Sequence, residues 1–137
     1  MSERLLLDTC AAIWLMSGSY MDARSRSAIR LSAERASLFV SPFTAWEVAL
    51  LAARGRSPLL AAPFEWYESL MNVPGIRSAD IDAKVLMHSH GLPGMPPSDP
   101  ADRVIIATAR DQDLILITRD RKIIDYAAAG HVRVMEC

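Results

Sequence analysis

Short runs of aliphatic residues recur along the chain and alternate with longer stretches in which apolar residues return every three or four positions. The short runs are predicted to be strands buried on both faces, because such strands are almost continuously hydrophobic. Five strands are predicted, of which the third is the weakest, at residues 4–7, 38–40, 76–78, 114–117 and 132–135. The longer stretches are predicted to be helices, at residues 11–16, 22–34, 44–54, 63–72, 79–90, 99–110 and 120–129.

This alternation predicts the fold class. Strands that alternate with helices form a parallel sheet that is covered by helices on both faces. We therefore expect an α/β chain with three layers, α/β/α, around a central and mainly parallel sheet of about five short strands. Residues 91–98 are dense in Pro and Gly, and they are predicted to be a loop inside this arrangement.

Length and composition limit the number of domains and the class of protein. A chain of 137 residues with 51% hydrophobic residues has the size of one domain and enough apolar surface for a core. No apolar run reaches the roughly 18 residues needed to cross a bilayer, and the N-terminal residues do not form a signal peptide. With two cysteines, the fold is not expected to depend on a disulfide framework. We therefore expect a cytoplasmic protein with no membrane contact, and its net charge of −1 gives no overall field that would attract nucleic acid.

Acidic residues stand directly after the predicted strands or in the first turn of the helices that follow them. They are Asp8, Glu47, Asp99, Asp102 and Asp120. Because ligand sites in parallel sheets lie beyond the carboxyl ends of the strands, these carboxylates would converge at one edge and repel one another. A divalent cation that prefers oxygen ligands, such as Mg²⁺ or Mn²⁺, would remove that repulsion. Carboxylate-held metal ions are suited to phosphodiester hydrolysis, in which they activate water and stabilise the leaving oxygen.

Each of these acids also has a purely structural interpretation as part of a helix cap. Thr44 and Glu47 have the spacing of a capping box, with Thr44 as the N-cap residue. Asp99 is a good N-cap before a proline, and Asp102 suits the positive end of the helix dipole. The other two acids can likewise cap the helices that they precede. Taken one at a time, the acids are explained as well by capping as by catalysis.

Four segments together resemble the PIN-domain ribonucleases, and most closely the VapC toxins of bacterial toxin–antitoxin pairs. The segments are LLLDT at 5–9, SPFTAWE at 41–47, DPADRVIIATA at 99–109 and LITRD at 116–120. The block at 99–109 is the most specific of them, and the resemblance covers nearly the whole chain. It implies a single PIN domain over residues 1–137. It also implies a Mg²⁺- or Mn²⁺-dependent endoribonuclease that hydrolyses RNA phosphodiester bonds and leaves a 5′-phosphate.

The resemblance also assigns roles to individual positions. The four acids implied to hold the metal and carry catalysis are Asp8, Glu47, Asp102 and Asp120. Asp99 is similar in position to a nearby fifth acid. Thr9 and Thr118 are implied to be hydroxyl groups that orient the acids. Arg103 is implied either to contact phosphate or to pair with one of the acids.

Two protein partners are implied by the same resemblance. One is a second copy of the chain, giving a homodimer. The other is a cognate antitoxin, which blocks the site and often inserts a basic side chain into it. The helix at 45–53 is apolar on more than one face, so it is either buried or covered by a partner. Burial within the chain is the preferred interpretation, since a small domain needs a core.

Three other functions compete with the nuclease. A phosphatase of the haloacid-dehalogenase type needs a second Asp two residues after the first, where this chain has Cys10. A response-regulator receiver needs a phosphate-accepting Asp after the third strand, which ends without one, although Asp80 is close. The remaining alternative is a non-catalytic PIN-like module that binds RNA or protein. Metal-dependent cleavage distinguishes the enzyme from that module.

Overall fold

Five short strands form one sheet at the centre of the computed structural model, which describes residues 3–19 and 21–137. The strands are β1 (Leu5–Leu7), β2 (Leu38–Val40), β3 (Ile76–Ser78), β4 (Ile115–Thr118) and β5 (Val134–Glu136). Their order across the sheet is β3-β2-β1-β4-β5, and every neighbouring pair is parallel. The predicted sheet is therefore confirmed, including the weak third strand.

Within residues 3–19 and 21–137, seven helices connect the strands. They are α1 (Thr9–Ser17), α2 (Ala23–Glu34), α3 (Pro42–Ala53), α4 (Pro63–Met71), α5 (Ala83–His88), α6 (Pro100–Asp111) and α7 (Arg121–Ala128). Since parallel strands cannot be joined by tight hairpins, each crossover needs such a connection. No helix in the described part of the chain is long and apolar enough to cross a membrane.

The core has two parts, one on each face of the sheet. Successive side chains of a strand point to opposite faces, so Leu5 and Leu7 pack into one cluster while Leu6 packs into the other. The first cluster includes apolar residues of α1, α2 and α4, and the second includes residues of α6 and α7. All three leucines are completely buried. This arrangement confirms the three-layer α/β/α prediction.

The predicted capping box at Thr44 is wrong. The helix begins earlier, because Ser41 caps it by accepting a 3.0 Å hydrogen bond from the Phe43 amide, and Pro42 occupies the first helical position. Thr44 is therefore inside the first turn, where it is fully buried. Its hydroxyl is available for contacts at the edge of the sheet instead of at the helix terminus.

Two other local predictions are corrected. The helix predicted at 79–90 is shorter, since α5 begins after its N-cap residue Asp82. Ala79 is not helical, because its amide donates a hydrogen bond to Val40 O and continues the pairing of β3 with β2. Helix α3 is less buried than predicted, since Thr44 and Val48 are its buried residues and Trp46 is 53% exposed. Its second apolar face is therefore not covered by the residues that the structure describes.

Candidate active site

The carboxyl ends of β1 and β4 meet the starts of α1, α3, α6 and α7 at a cavity of about 220 Å³. Its lining consists of Asp8, Thr9, Cys10, Trp14, Glu47, Asp102, Ile105, Arg119 and Asp120. The structure thus brings the four main predicted acids together in one place. Parallel pairing explains this convergence, because it puts the ends of all five strands, and the helix starts that follow them, on one side of the sheet.

Asp8 is the most buried of these acids, with 6% of its surface exposed. One carboxylate oxygen accepts a 2.7 Å hydrogen bond from the Ala11 amide and caps α1. The other oxygen accepts a 2.5 Å hydrogen bond from Thr118 Oγ1. Burial nevertheless raises the pKa of Asp8 above its ordinary value, against the lowering effect of these two bonds. Asp8 is both a helix cap and a cavity-lining acid, so the two interpretations are compatible.

Glu47 is held by a chain of two hydroxyl groups. Thr9 Oγ1 donates a 2.5 Å hydrogen bond to Glu47 Oε1 and lies 3.0 Å from Thr44 Oγ1. A hydroxyl has one proton to donate, so Thr44 is the donor to Thr9 when Glu47 is ionised. Burial raises the pKa of Glu47, and the nearby negative charges of Asp99 and Asp8 raise it further. Thr44 therefore positions Glu47 indirectly, through its hydrogen bond with Thr9.

The pKa of Asp102 is strongly raised by its surroundings. Burial, followed by repulsion from Asp99, Asp120, Glu47 and Asp8, raises its pKa to about 7. Asp102 lies in the first turn of α6, whose N-cap Asp99 accepts a 3.1 Å hydrogen bond from the Asp102 amide. Asp99 itself does not line the cavity. Asp99 acts on the cavity through its negative charge, which raises the pKa of Asp102.

Asp120 combines capping with a place in the cavity wall. Its carboxylate accepts hydrogen bonds from the Lys122 and Ile123 amides at 2.8 and 3.3 Å, and so caps α7. Its own amide donates a 3.0 Å bond to Thr118 Oγ1. Thr118 therefore ties Asp120 to Asp8, because the same hydroxyl contacts both residues.

Arg103 does not line the cavity, although it follows Asp102 directly in α6. Its Nε donates a 2.8 Å hydrogen bond to Pro97 O, and its Nη1 donates a longer 3.5 Å bond to Ser89 O. Among the described residues no salt bridge joins Arg103 to an acid, because these carbonyl groups of the loop before α6 hold the guanidinium. Its predicted contact with phosphate stays a prediction. Arg103 fixes the Pro-rich loop against α6 instead.

The acids of the cavity fit a divalent cation by donor type and by charge. In the described ranges, 3–19 and 21–137, no salt bridge joins Asp8, Glu47, Asp102 or Asp120 to a basic side chain. Buried carboxylates without a compensating charge are costly, and hard oxygen donors are those that Mg²⁺ and Mn²⁺ prefer. As they stand, no three His, Cys, Asp or Glu side chains in that part of the chain are grouped closely enough to hold an ion.

Trp14 and Arg119 line the cavity but have no role in the sequence analysis. Thr44, which contacts Thr9 behind the cavity wall, is predicted there only as a helix cap. Arg119 stands between Thr118 and Asp120 in the LITRD segment, so its position beside two proposed site residues was an available signal. Trp14 gave no comparable signal, because an aromatic residue in an apolar helix is most often part of the core.

A sequence model of the PIN domain matches residues 5–129. The chain belongs to the PIN-domain family. This PIN domain is also 32% identical to the ribonuclease VapC22 of Mycobacterium tuberculosis over 120 residues, which is 87% of this chain and 88% of the relative. The family that the four sequence segments resemble is therefore confirmed.

Solved structures show the same fold at lower identity. A DNA-bound VapBC complex from Salmonella typhimurium contains a chain that matches with a TM-score of 0.67 and 18% identity, covering 98% of both chains. VapBC2 from Rickettsia felis, bound to a promoter DNA fragment, matches with a TM-score of 0.69 and 14% identity, covering 96% of this PIN domain and 97% of that chain. FitAB bound to a DNA fragment matches with a TM-score of 0.65 and 22% identity, covering 96% and 94%.

Proposed function

We propose that this PIN domain is a Mg²⁺- or Mn²⁺-dependent endoribonuclease and the toxin component of a toxin–antitoxin pair. The observation that carries the proposal is the cavity in which Asp8, Glu47, Asp102 and Asp120 come together, with no salt bridge from any of them to a basic side chain in the described part of the chain. The likeness to a VapC ribonuclease over most of the chain supports the proposal that this cavity hydrolyses RNA. No comparable observation favours the non-catalytic alternative.

The four acids are proposed to hold the metal, and Asp99 to add negative charge beside them. When bound, Mg²⁺ or Mn²⁺ supplies Lewis-acid stabilisation of the phosphate and lowers the pKa of water. The chain contributes positioning: Thr118 and the Ala11 amide fix the Asp8 carboxylate, and Thr9 fixes Glu47. Residues that orient ligands in this way typically matter 10- to 100-fold for affinity or activity.

The pKa of Asp102 near 7 has a direct consequence for this role. Below that pH the carboxyl group keeps its proton and is a poor metal ligand. A cation that bound the cluster would favour the ionised form and lower the pKa again. Cation affinity is therefore expected to rise with pH through neutrality.

Two protein partners belong to the proposal. An antitoxin is suggested by the complexes among the structural neighbours, two VapBC and one FitAB. A negatively charged cavity is suited to receive a basic side chain from such a partner. A second copy of the chain is suggested by apolar side chains left uncovered near α3 and α4, of which Trp46 is 53% and Phe64 80% exposed.

Cleavage of RNA tests the enzymatic part of the proposal. A pool of single-stranded and hairpin RNAs is incubated with antitoxin-free protein in Mg²⁺, in Mn²⁺ and in chelator, and the new ends are analysed. We expect cleavage that requires the metal, leaves 5′-phosphate ends and disappears in Asp8→Asn. Asp113→Asn is the matched control, because Asp113 is exposed and distant from the cavity lining. Cleavage that survives the chelator or Asp8→Asn would place the active site elsewhere.

The homodimer is tested separately by light scattering. Phe64→Ser removes an exposed apolar side chain of α4 and is expected to shift the protein toward the monomer. Leu31→Ser is the matched control on α2, where Leu31 is 46% exposed. A protein that is monomeric without either substitution would contradict the dimer but would leave the proposed chemistry intact.

A further inference from the structure

An exposed pair of aromatic side chains on α3 has no role in the proposal so far. The ring centres of Phe43 and Trp46 lie 4.9 Å apart, with their planes tilted by 34°. Phe43 is half-buried, whereas Trp46 is 53% exposed. Phe43 thus supports one side of the indole while more than half of Trp46 stays accessible to a ligand.

The aromatic pair stands beside the acid cavity. Glu47, one of the four acids, follows Trp46 directly and comes four residues after Phe43. Residues four apart in a helix are neighbours on its surface, so the Phe43 side chain is adjacent to that of Glu47. Neither aromatic residue is among the described residues that line the cavity itself. The pair therefore borders the acid cavity without filling it.

The aromatic pair is also separate from the groove between α3 and α4. That groove has a volume of about 510 Å³, and Ala45 and Ala49 form its α3 side. Phe64, which marks the surface proposed for a second copy, lines the same groove, but Phe43 and Trp46 are not among the described residues of its lining. The pair and the groove therefore occupy different stripes of α3, and Trp46 does not have to be covered by the copy that covers Phe64.

A nucleobase is chemically matched to this surface. The net charge of −1 and the carboxylates of the cavity give RNA phosphates no general attraction to the protein, so contacts that do not depend on charge have to add to the affinity. Nucleobases are flat and uncharged, and single-stranded nucleic acids bind to exposed aromatic side chains by stacking their bases on them. A strand with a phosphate in the cavity carries its neighbouring bases past the border of that cavity, where the pair lies.

We propose that Trp46, supported by Phe43, stacks a base of the RNA strand whose phosphate lies at the acid cavity. This inference rests on the proposed nuclease function and adds a substrate-binding subsite to it. Trp46 contacts the base, and Phe43 positions the indole. Because the stacked base is held before and during cleavage alike, the contact contributes to binding of the substrate and not to the rate of the chemical step.

RNA binding in chelator gives the first test, because it does not depend on cleavage. Binding of a fluorescently labelled single-stranded RNA is measured by anisotropy. Trp46→Ala is expected to bind roughly 5- to 140-fold more weakly than wild type, the size of one base stacked on an aromatic side chain. Trp46→Phe keeps an aromatic face and is expected to stay within a few-fold of wild type. Met87→Ala is the matched control, since it removes a 67% exposed apolar side chain of α5, and it should bind as wild type does.

Stacking is separated from phosphate contacts by two further readouts of the same assay. The slope of log K against log salt reports phosphate contacts, so it should be the same in Trp46→Ala and in wild type. A sugar-phosphate strand of equal length without bases should bind to Trp46→Ala and to wild type with equal affinity. A weaker affinity of Trp46→Ala for this abasic strand would overturn the inference.

Light scattering and thermal unfolding test the competing explanation that the pair contacts another protein chain. Trp46→Ala is expected to keep the molar mass of the wild type and to unfold at nearly the same temperature, because Trp46 is largely exposed. A Trp46→Ala protein that becomes monomeric but keeps the RNA affinity of the wild type would assign the pair to a second copy and would overturn the inference.

Failure of this inference and failure of the proposed function give different results. Wild-type protein that binds RNA through Trp46 but does not cut it in Mg²⁺ or Mn²⁺ contradicts the nuclease and leaves the stacking contact in place. If the nuclease is active, Trp46→Ala should raise KM with kcat nearly unchanged. Metal-dependent cleavage with the same KM and the same RNA affinity in Trp46→Ala contradicts the stacking contact alone.

Discussion

Acidic residues at the two edges of the same sheet are in opposite electrostatic situations. At the amino edge, which is the side of the sheet where the parallel strands begin, Asp113 lies 2.7 Å from an Arg133 nitrogen. On the same side, Asp111 lies 2.8 Å from His88 Nδ1. At the carboxyl edge, which is the side where the strands end, Asp8 and Asp102 share a cavity with two further acids and have raised pKa values. The residue type is the same, but the charge of Asp113 is paired with Arg133 at one edge, whereas several carboxylates are concentrated at the other.

The difference shows why acidic character alone does not identify a site. An exposed pair such as Asp113 and Arg133 is solvated and costs little, so it needs no ligand to explain it. Asp8 and Asp102 are removed from water near other carboxylates, which is unfavourable for folding and therefore suggests a function. The contrast predicts that substitutions at the carboxyl edge change activity strongly, while those at the amino edge change little.

The largest expected effect comes from Asp8→Asn. Loss of the carboxylate should reduce RNA cleavage by about 10³-fold or more, since a metal site contributes several kcal/mol to the transition state. The fold should remain nearly intact, because Asn can still cap α1 and the loss of repulsion offsets the lost charge. Cleavage rate and thermal unfolding, measured on the same preparation, check the two halves of this prediction.

A smaller effect is expected when the hydroxyl that joins two acids is removed. Thr118→Val has nearly the same shape but cannot donate to Asp8 or accept from the Asp120 amide. Activity should fall roughly 10- to 100-fold, as for other residues that orient metal ligands. Thr118→Ser keeps the hydroxyl group and should stay within a few-fold of wild type. Equal activity in the Val and Ser variants would show that this connection is unimportant.

The pH dependence of stability should also distinguish the two edges. Folding raises the pKa of Asp102 from 3.8 to about 7, so between these values the folded state holds more protons than the unfolded state. The free energy of unfolding therefore falls as the pH rises from 4 to 7, and protonation stabilises the fold at the acidic end. In chelator, the free energy of unfolding of Asp102→Asn should depend less on pH between 4 and 7 than that of the wild type. Asp113→Asn should leave the slope as it is in the wild type, and chemical unfolding at several pH values measures both.

The smallest effect is expected at the amino edge itself. Arg133→Gln breaks an exposed ion pair whose side chains are 59% and 87% accessible, and such pairs contribute about 0–1 kcal/mol. Neither RNA cleavage nor metal binding should change. A large loss of activity in this variant would mean that the two edges are not functionally separate.

The sheet was predictable because its strands carry a strong local signal. The runs at Leu5–Leu7 and Ile115–Thr118 are almost purely aliphatic, and the alternation with helices leaves few other topologies. Helix starts were harder, because several residues in succession can cap. Ser41 and Thr44 are both good N-cap residues, and the proline after Ser41 decides in its favour.

The candidate site was predictable as a set of acids but not as a network. Parallel topology alone brings Asp8, Asp102 and Asp120 to one cavity, so their convergence follows once the strands are known. The hydroxyl chain from Thr44 through Thr9 depends on side-chain directions that spacing does not determine. The same is true of Arg103, whose contact with the loop at Pro97 is set by tertiary packing.

A calorimetric titration of the protein with Mn²⁺ above pH 7 tests the central claim most directly. It measures whether the acids at the carboxyl edge form a cation site. Wild-type protein and Asp113→Asn are predicted to bind the ion saturably. Asp8→Asn and Asp102→Asn are predicted to bind it at least roughly tenfold more weakly. Absence of binding by the wild type, or equal binding by Asp8→Asn, would contradict the account.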